Sequence, residues 1–450
     1  MNRICATGMW LMVVLLVPVC AHTAPGETGI STSPGDSLDL QQCLEIALKN
    51  SRDIAISKGD VTKSEINLKD ARAGFMPDID LSGGYNVTDT YDRLEWNENH
   101  YSLSLNASMT PFNGGRTWIN TAKSRESLAS AKQSYRLTEI GLILDVMRKY
   151  YSLLETTEIL KLREESLVQR RTHFDFARAR FDLGLVPRAD ILKAEADVIA
   201  AEIDSLEALG NLGLAHAELN DAMGIDLDHP TQVASTVFER EPPPDVKDCV
   251  NEASLNRPEL LQQRANVSIK QSNVRLAQID RWPTLTLSGT YDAYIDAFVF
   301  DDLPLNRTNW EDNSDWRVGV GLRFPLFDGG VAGRAVRAAR IDLHEAELGY
   351  TQWRKEVDLE VKLAHLNLVT SFKKTDLTRK EVESAEESYN TALGRYAAGI
   401  APITEVIDAG VALSNSKVGH TMAIYDYHLN KAVLRQAMGR LPYELAGRAE

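Results

Sequence analysis

Beyond its first twenty or so residues the 450-residue chain has no apolar run approaching the ~20 residues that a membrane-spanning helix needs. It lacks basic excess as well: 64 Asp and Glu against 49 Lys and Arg give a formal net charge of -15, which argues against a nucleic-acid partner and for a solvated acidic surface or lumen. Cysteine is scarce. Of four, Cys5 and Cys20 lie in or beside the leader, and Cys43 and Cys249 remain; those two read as buried small apolar residues rather than as a disulfide, since nothing in the sequence brings their Cα atoms within bonding range. Catalytic constellations are missing too. His344-Glu345 is not followed by the second histidine of a zinc helix, the glycines at 329, 330 and 333 lack the Lys-Ser/Thr of a phosphate loop, and the nine histidines are scattered. No enzyme activity, cofactor or metal site is expected.

What is present begins with a leader. Arg3, the apolar residues 9–19, then Cys20 and Ala21 before a polar Gly, Pro, Ser and Thr stretch mark residues 1–21 as a secretory signal peptide. A flexible segment, 22–37, follows. Lipidation of Cys20 is the weaker reading, because Pro18 and Val19 stand where small residues are expected. The mature chain is then either soluble in an exported compartment or crosses a membrane as strands.

The chain is also a tandem duplication. ARAGFMPDIDLSG at 71–83 returns as AQIDRWPTLTLSG at 277–289, displaced by 206, and RFDLGLVPRADILKA at 180–194 returns as RYAAGIAPITEVIDA at 395–409, displaced by 215. Cys43 and Cys249 are equivalent under the first displacement. The span from Gly114 to Gly184 equals that from Gly329 to Gly399, so the nine extra residues of the second copy fall between Gly289 and Gly329 and are expected in a strand–strand loop near 301–315, where insertion is tolerated.

Each copy changes its hydrophobic period twice. The first copy, 38–223, opens on a helical stretch, 40–75, ended by Pro77; the second, 246–440, opens on 246–279, ended by Pro283. Strict alternation follows in strands at about 77–89 and 99–111, then 283–295 and 315–327: Ile79, Leu81 and Tyr85 oppose Asp78, Asp80 and Ser82, and Trp316, Val318, Val320 and Leu322 oppose Arg317, Gly319 and Arg323. Four such strands carry the signature of a transmembrane β-barrel. A soluble sheet packed on helices alternates in the same way, but export, the two arginines on a polar face, and aromatics at both strand ends (Phe75, Phe112, Trp282 and Phe327 at one, Tyr91, Trp96 and Trp310 at the other) favour the membrane. Since known barrels begin at about eight strands, the chain must oligomerise; the periodicity does not choose between two protomers and three.

After the breakers Phe112-Asn113-Gly114-Gly115 and Phe327-Asp328-Gly329-Gly330 come long helices, 114–183 and 330–398, then helices 188–223 and 402–438. A linker, 224–245, joins the copies, and 441–450 is a tail. Seventy helical residues span roughly 105 Å, about the sum of the two ~35-residue helices of one copy laid end to end. The long helices carry more than one apolar stripe: Ile140, Leu144, Met147, Tyr151 and Leu154 in the first; Val357, Val361, Ala364 and Leu368 beside Leu359, Leu363 and Leu366 in the second. Two seams per helix suit a wall with neighbours on both sides.

From residue 38 to 440 this pattern resembles the TolC-type outer-membrane efflux and secretion channels, through the Leu-x-x-Ala-Leu-x-Asn opening at 44–50, the Pro-x-x-x-Leu-Ser-Gly strands, the PLFDGG segment at 325–330 and the Arg-Tyr/Phe-x-x-Gly turns, all in order and twice over. The resemblance implies a homotrimer whose twelve strands form one barrel in outer-membrane lipid, continued by a helical barrel through the periplasm of a Gram-negative bacterium. It implies docking of a periplasmic adaptor and an inner-membrane transporter, in tripartite efflux or, alternatively, type I protein secretion. Arg180, Gly184, Leu185, Pro187, Arg395, Gly399, Ile400 and Pro402 would be adaptor-facing tips. Asp190, Tyr396, Glu405 and Asp408 would form the entrance constriction, with Glu405 and Asp408 on one helix face. Ala401 stands where the family carries an arginine, so a lock on the closed entrance would be built differently, for example with Arg188 or Lys193. A periplasmic structural coiled-coil protein is the reading from another class.

Overall fold

One order of elements is written twice along the chain. The computed structural model describes residues 37–89, 97–234, 240–298 and 314–443. In it α1 (Leu40–Asn50), α2 (Arg52–Ala73), β1 (Asp78–Asp89), β2 (Asn97–Phe112), α3 (Arg116–Asp182) and α4 (Arg188–Met223) recur as α5 (Val246–Asn256), α6 (Pro258–Ile279), β3 (Thr284–Phe298), β4 (Ser314–Arg323), α7 (Val331–Ala397) and α8 (Ile403–Ala437). The leader with Cys20, most of the 22–37 segment, the proposed insertion, the aromatics Tyr91, Trp96 and Trp310 and most of the tail lie outside the described residues.

The four strands form one antiparallel sheet in the order β1-β2-β3-β4. Its register turns alternation into two faces. Leu81, Leu105, Tyr291 and Trp316 lie side by side, as do Ile79, Ala107, Gly289 and Val318; the neighbouring rows are Ser82, Ser104, Asp292 and Asp315, and Asp80, Asn106, Thr290 and Arg317. One face is therefore continuous apolar surface and the other polar. On the polar side Asp292 accepts from the Ser104 hydroxyl at 2.6 Å and from the Arg317 guanidinium at 2.8 Å. The two hairpins share one register: Asp78 faces Ser108 in the first and Thr284 faces Arg323 in the second, displaced by 206 on one strand and 215 on the other. The nine residues thus enter between the strands of the second hairpin. Pro325 stops β4 at Arg323, short of the expected 327, because it has no N–H to give a ladder. Among the described residues no helix is long and apolar enough to cross a membrane.

The long helices α3 and α7 are each 67 residues, roughly 100 Å. Their surroundings differ. α3 packs against α1, α2 and α4 of its own copy and α6 and α8 of the other, whereas α7 packs on α5, α6 and α8 of its own copy. Accordingly α3 buries two seams, Ile140, Leu144, Met147 and Leu154 with Ile143, Val146, Tyr150 and Leu153. In α7 the row Val357, Val361, Ala364 and Leu368 is buried, but Leu359, Leu363 and Leu366 are 58, 52 and 59% exposed. Cys43 and Cys249 sit as buried free thiols in equivalent cores, and burial pushes the Cys43 thiol up to about 12, which makes it unreactive.

The opening helices, expected as unbroken, are each divided into 11 and 22 residues. In the second copy Pro258 occupies the first position of α6 and drives Arg257 out of helical conformation. In the first, Ser51 takes the same extended conformation and its hydroxyl caps the Ile54 N–H at 3.3 Å. The break has a use. It directs the buried Arg257 guanidinium to Glu360 of α7 at 2.6 Å and to the Ala437 carbonyl at the end of α8 at 2.9 Å. Beside it Gly439, at φ 78°, leaves a Cβ only 2.7 Å from the Asn256 backbone. Gly439→Ala should therefore cost more than the ~1–2 kcal/mol of a left-handed residue, whereas Gly184→Ala, at a similar φ with nothing within 4 Å, should cost only that. Thermal melting followed by circular dichroism checks the ranking; equal shifts would refute the contact.

Candidate functional site

Two regions carry the chemistry: the polar face of the sheet and the turns at the far ends of the long helices. At both turns the chain ends a helix in the same way. Gly184 donates to the Phe181 carbonyl at 2.7 Å and Leu185 to that of Arg180 at 2.9 Å, while Gly399 donates to Tyr396 at 3.0 Å and Ile400 to Arg395 at 2.9 Å. These are paired Schellman closures, and they need the left-handed glycines at φ 72° and 75°. Pro187 and Pro402 then cap α4 and α8. The result is two short tips presenting apolar Leu183, Leu185 and Ile400 to solvent.

Asp190 and Glu405 both sit in the first turn of the returning helix, where the positive end of the helix dipole favours an acid. From there their surroundings diverge. Glu405 pairs with Arg395 of α7. Asp408, one turn on, lines with Glu405 and Glu387 a groove of about 550 Å³ between α7 and α8 that also carries Ser384, Ser388 and Thr391. Three carboxylates and three hydroxyls make this an acidic, polar concavity near the tips. Asp190 instead lies within electrostatic reach of Tyr396.

Tyr396 is the centre of the other half. It is 2% exposed, and burial pushes its phenol above the usual range, with the Arg180 guanidinium pulling back. Arg180, from the end of α3, reaches across to the second copy. Its Nη1 donates to the Tyr396 carbonyl at 2.8 Å, and the guanidinium stands 5.0 Å from the Tyr396 ring and 5.7 Å from Phe176. Among the described residues neither Arg188 nor Lys193 makes an ion pair across this contact; the arginine that bridges the copies is Arg180. Its repeat equivalent, Arg395, stays within its own hairpin on Glu405. The sequence places both arginines at the tips, and its one sign of this difference, which depends on tertiary packing, is that Phe181 stands where the second copy has Tyr396.

A second tier, missed in the sequence, lies above the tip. Arg170 and Asp197 form an ion pair at 2.6 Å with side chains 9 and 11% exposed, and burial raises the Asp197 carboxyl while Arg170 opposes it. His173 meets the Tyr389 hydroxyl at 2.7 Å, joining α3 to α7, and its burial lowers the imidazole. These contacts stiffen the hairpins behind the turns. At the opposite end of the helices, Phe75, Met76, Trp118, Trp282, Leu326 and Phe327 are exposed next to the sheet, Phe327 by 91%. Among the described residues no cluster of ligating side chains could hold a metal ion.

Comparison with known proteins agrees with this architecture. The family model described as outer membrane efflux protein matches residues 43–225 and 249–440, two segments that start and end with the displacements of the internal repeat. The outer membrane protein TolC of Escherichia coli K12 is 24% identical over 423 residues, covering 92% of this chain and 85% of its own, and that of Salmonella enteritidis is 23% identical over 406 residues, covering 90% and 82%. In structure, the Campylobacter jejuni CmeC outer membrane channel superposes with a TM-score of 0.78 at 18% identity, covering 91% of this chain and 87% of that one. The two-segment match and the fold together show that the chain belongs to the outer membrane efflux protein family, channels rather than enzymes, seated in the outer membrane of a Gram-negative bacterium and extending into the periplasm.

Proposed function

We propose that three copies assemble into a channel-tunnel, with twelve strands closing one barrel and the helices forming a periplasmic tube, and that this tube is the exit duct of a tripartite efflux system. The carrying observation is the incomplete wall of the single chain. α3 buries two seams, α7 leaves Leu359, Leu363 and Leu366 bare, and the sheet ends on two edges. In hydrocarbon an open edge leaves backbone groups unsatisfied, so only closure is tolerated. The exposed aromatics beside the sheet then mark the periplasmic interface of the membrane.

The tips are the entrance in this reading. Glu405 and Asp408 of three copies bring six carboxylates to the lumen against three Arg395 partners, a net acidic ring that favours cations over anions. The exposed Leu183, Leu185 and Ile400 at the turns suit an adaptor that buries apolar surface, and the transporter behind that adaptor selects the substrate. Arg180 takes the part that Ala401 leaves vacant: its clamp on Tyr396 holds the second tip against the first within each copy.

Two experiments on purified protein in planar bilayers test this. Glu405→Ala combined with Asp408→Ala should lower the cation-to-anion permeability ratio; unchanged selectivity and conductance would remove both residues from the lumen. Arg180→Ala deletes a charge-assisted bond of about 1.5–3 kcal/mol together with its ring contacts, and should raise mean conductance several-fold, with Arg180→Lys intermediate. A variant conducting like the parent would show that the clamp does not hold the entrance.

A further inference from the structure

We propose that the second repeat carries a binding site for an anionic phospholipid of the periplasmic leaflet, in which the Arg281, Arg337 and Arg340 guanidinium groups hold the headgroup phosphate beside the bare helix surface at Gly333. This rests on the reading above that the sheet lies in the membrane, with the exposed aromatics at its periplasmic interface.

The two repeats differ sharply at this level of the fold. In the first, Phe75, just past the end of α2, packs edge-on against Trp118 of α3 with ring centroids 4.9 Å apart, and both rings are exposed. Such a pair is an anchor where hydrocarbon gives way to headgroups. Displacement by 206 turns Phe75 into Arg281, and displacement by 215 turns Trp118 into Gly333. The two positions still meet, since the Arg281 Nη2 lies 2.9 Å from where a Gly333 Cβ would stand. One repeat therefore presents two rings, and the other a guanidinium laid over a helix that has no side chain there. The exchange continues down α7: Ile119 and Ala122 become Arg334 and Arg337, and Arg125 is matched by Arg340. Apolar residues serve at 75, 119 and 122 in the first repeat, so the fold does not require the added charges.

Gly333, Arg337 and Arg340, spaced i, i+4 and i+7, share one helix face. Arg337 lies roughly 6 Å along the axis from Gly333 and Arg340 roughly 10 Å. The headgroup layer outside the hydrocarbon is about 5–8 Å deep in each leaflet, so Arg337 falls within it and Arg340 at its outer edge. Nearby carboxylates are engaged elsewhere. Asp280 pairs with Arg116 and Asp342 with Lys270, while Asp328 accepts from the Gly330 and Ala332 N–H groups at 2.8 and 2.7 Å. Arg334 is turned back on the Gly329 carbonyl at 3.2 Å. Arg281, Arg337 and Arg340 are exposed and make no ion pair among the described residues. Three cations gathered on one face of a chain with net charge -15 repel one another until an anion joins them. At this depth the anion in reach is a phospholipid phosphate, whose oxygens match the guanidinium fork. Exposed Trp282, Leu326 and Phe327 beside the site give its acyl chains an apolar surface.

The test uses the purified full chain in a neutral detergent, with native mass spectrometry counting the lipids it retains from mixtures of phosphatidylglycerol and phosphatidylcholine. The parent should retain phosphatidylglycerol preferentially, and the preference should fall roughly fivefold for each arginine removed in Arg337→Ala, in Arg340→Gln and in the two combined. Alanine is the residue of the first repeat at that place, so the first variant keeps the fold. Gly333→Trp restores the ring of the first repeat with every charge retained; it should abolish the preference as well, and only the flexible tip of Arg281 has to move aside. Arg125→Gln, beside the aromatic pair of the first repeat, should leave the preference unchanged, and an equal loss there would reduce the site to diffuse surface charge. Equal retention of the two lipids by the parent overturns the site alone. So do variants that shift ion selectivity in planar bilayers while keeping the lipid preference, because their arginines would then face the lumen. A parent chain that inserts into vesicles of neither lipid sinks the membrane placement of the sheet together with the site.

Discussion

A polypeptide in hydrocarbon has no water to take up its amide hydrogens and carbonyl oxygens, and the rest of this molecule follows from that requirement. Four strands satisfy three ladders and leave two edges. The helices share the deficit in another form: α3 is enclosed on both flanks while α7 keeps an apolar stripe in the open. Sheet and helices are thus both incomplete in the single chain. One kind of neighbour repairs both, and the duplicated sequence means that a neighbour of nearly the right shape is already built into the fold.

The same duplication makes the differences between copies informative. Arg180 and Arg395 stand at equivalent places, yet one grips the Tyr396 carbonyl across the repeat and the other is retained by Glu405. A guanidinium held against a backbone carbonyl and two aromatic faces is a stronger restraint than a half-exposed ion pair screened by water. At the tips, then, Arg180 ties the two repeats together, whereas Arg395 stays within its own hairpin. The contact between α3 and α7 through His173 and Tyr389 adds to the stiffer of the two.

Much of this was legible in the residues because period and punctuation are local. Alternation in Ile79, Leu81 and Tyr85 fixed a face, and Gly184 with Pro187 fixed a turn, without knowledge of anything distant. Breaks in the opening helices escaped, although Pro258 marks one of them, because an uninterrupted helical composition outweighed a single residue; Ser51, with no proline, signals the other only through a cap. Arg180 is legible as a tip residue, but its contact with Tyr396 is not. Nothing in RFDLG tells which carbonyl, 216 residues away, a long side chain will find, whereas the acid at Glu405 is close in sequence to its partner Arg395.

The equal lengths of α3 and α7 have a mechanical consequence. In a helix each inserted residue turns everything beyond it by about 100°, so one added in α3 before Ile143 would carry Ile143, Val146, Tyr150 and Leu153 out of their seam relative to the start of the helix. The smallest addition that nearly restores the seam is about seven residues, or some 10 Å, and it would have to occur in α7, and in the shorter helices beside it, at the same time. The pair of 67-residue rods therefore acts as a ruler that single mutational steps cannot reset. The depth to which the tips reach is quantised, and in the proposed assembly a protein docking on them has a fixed gap to bridge.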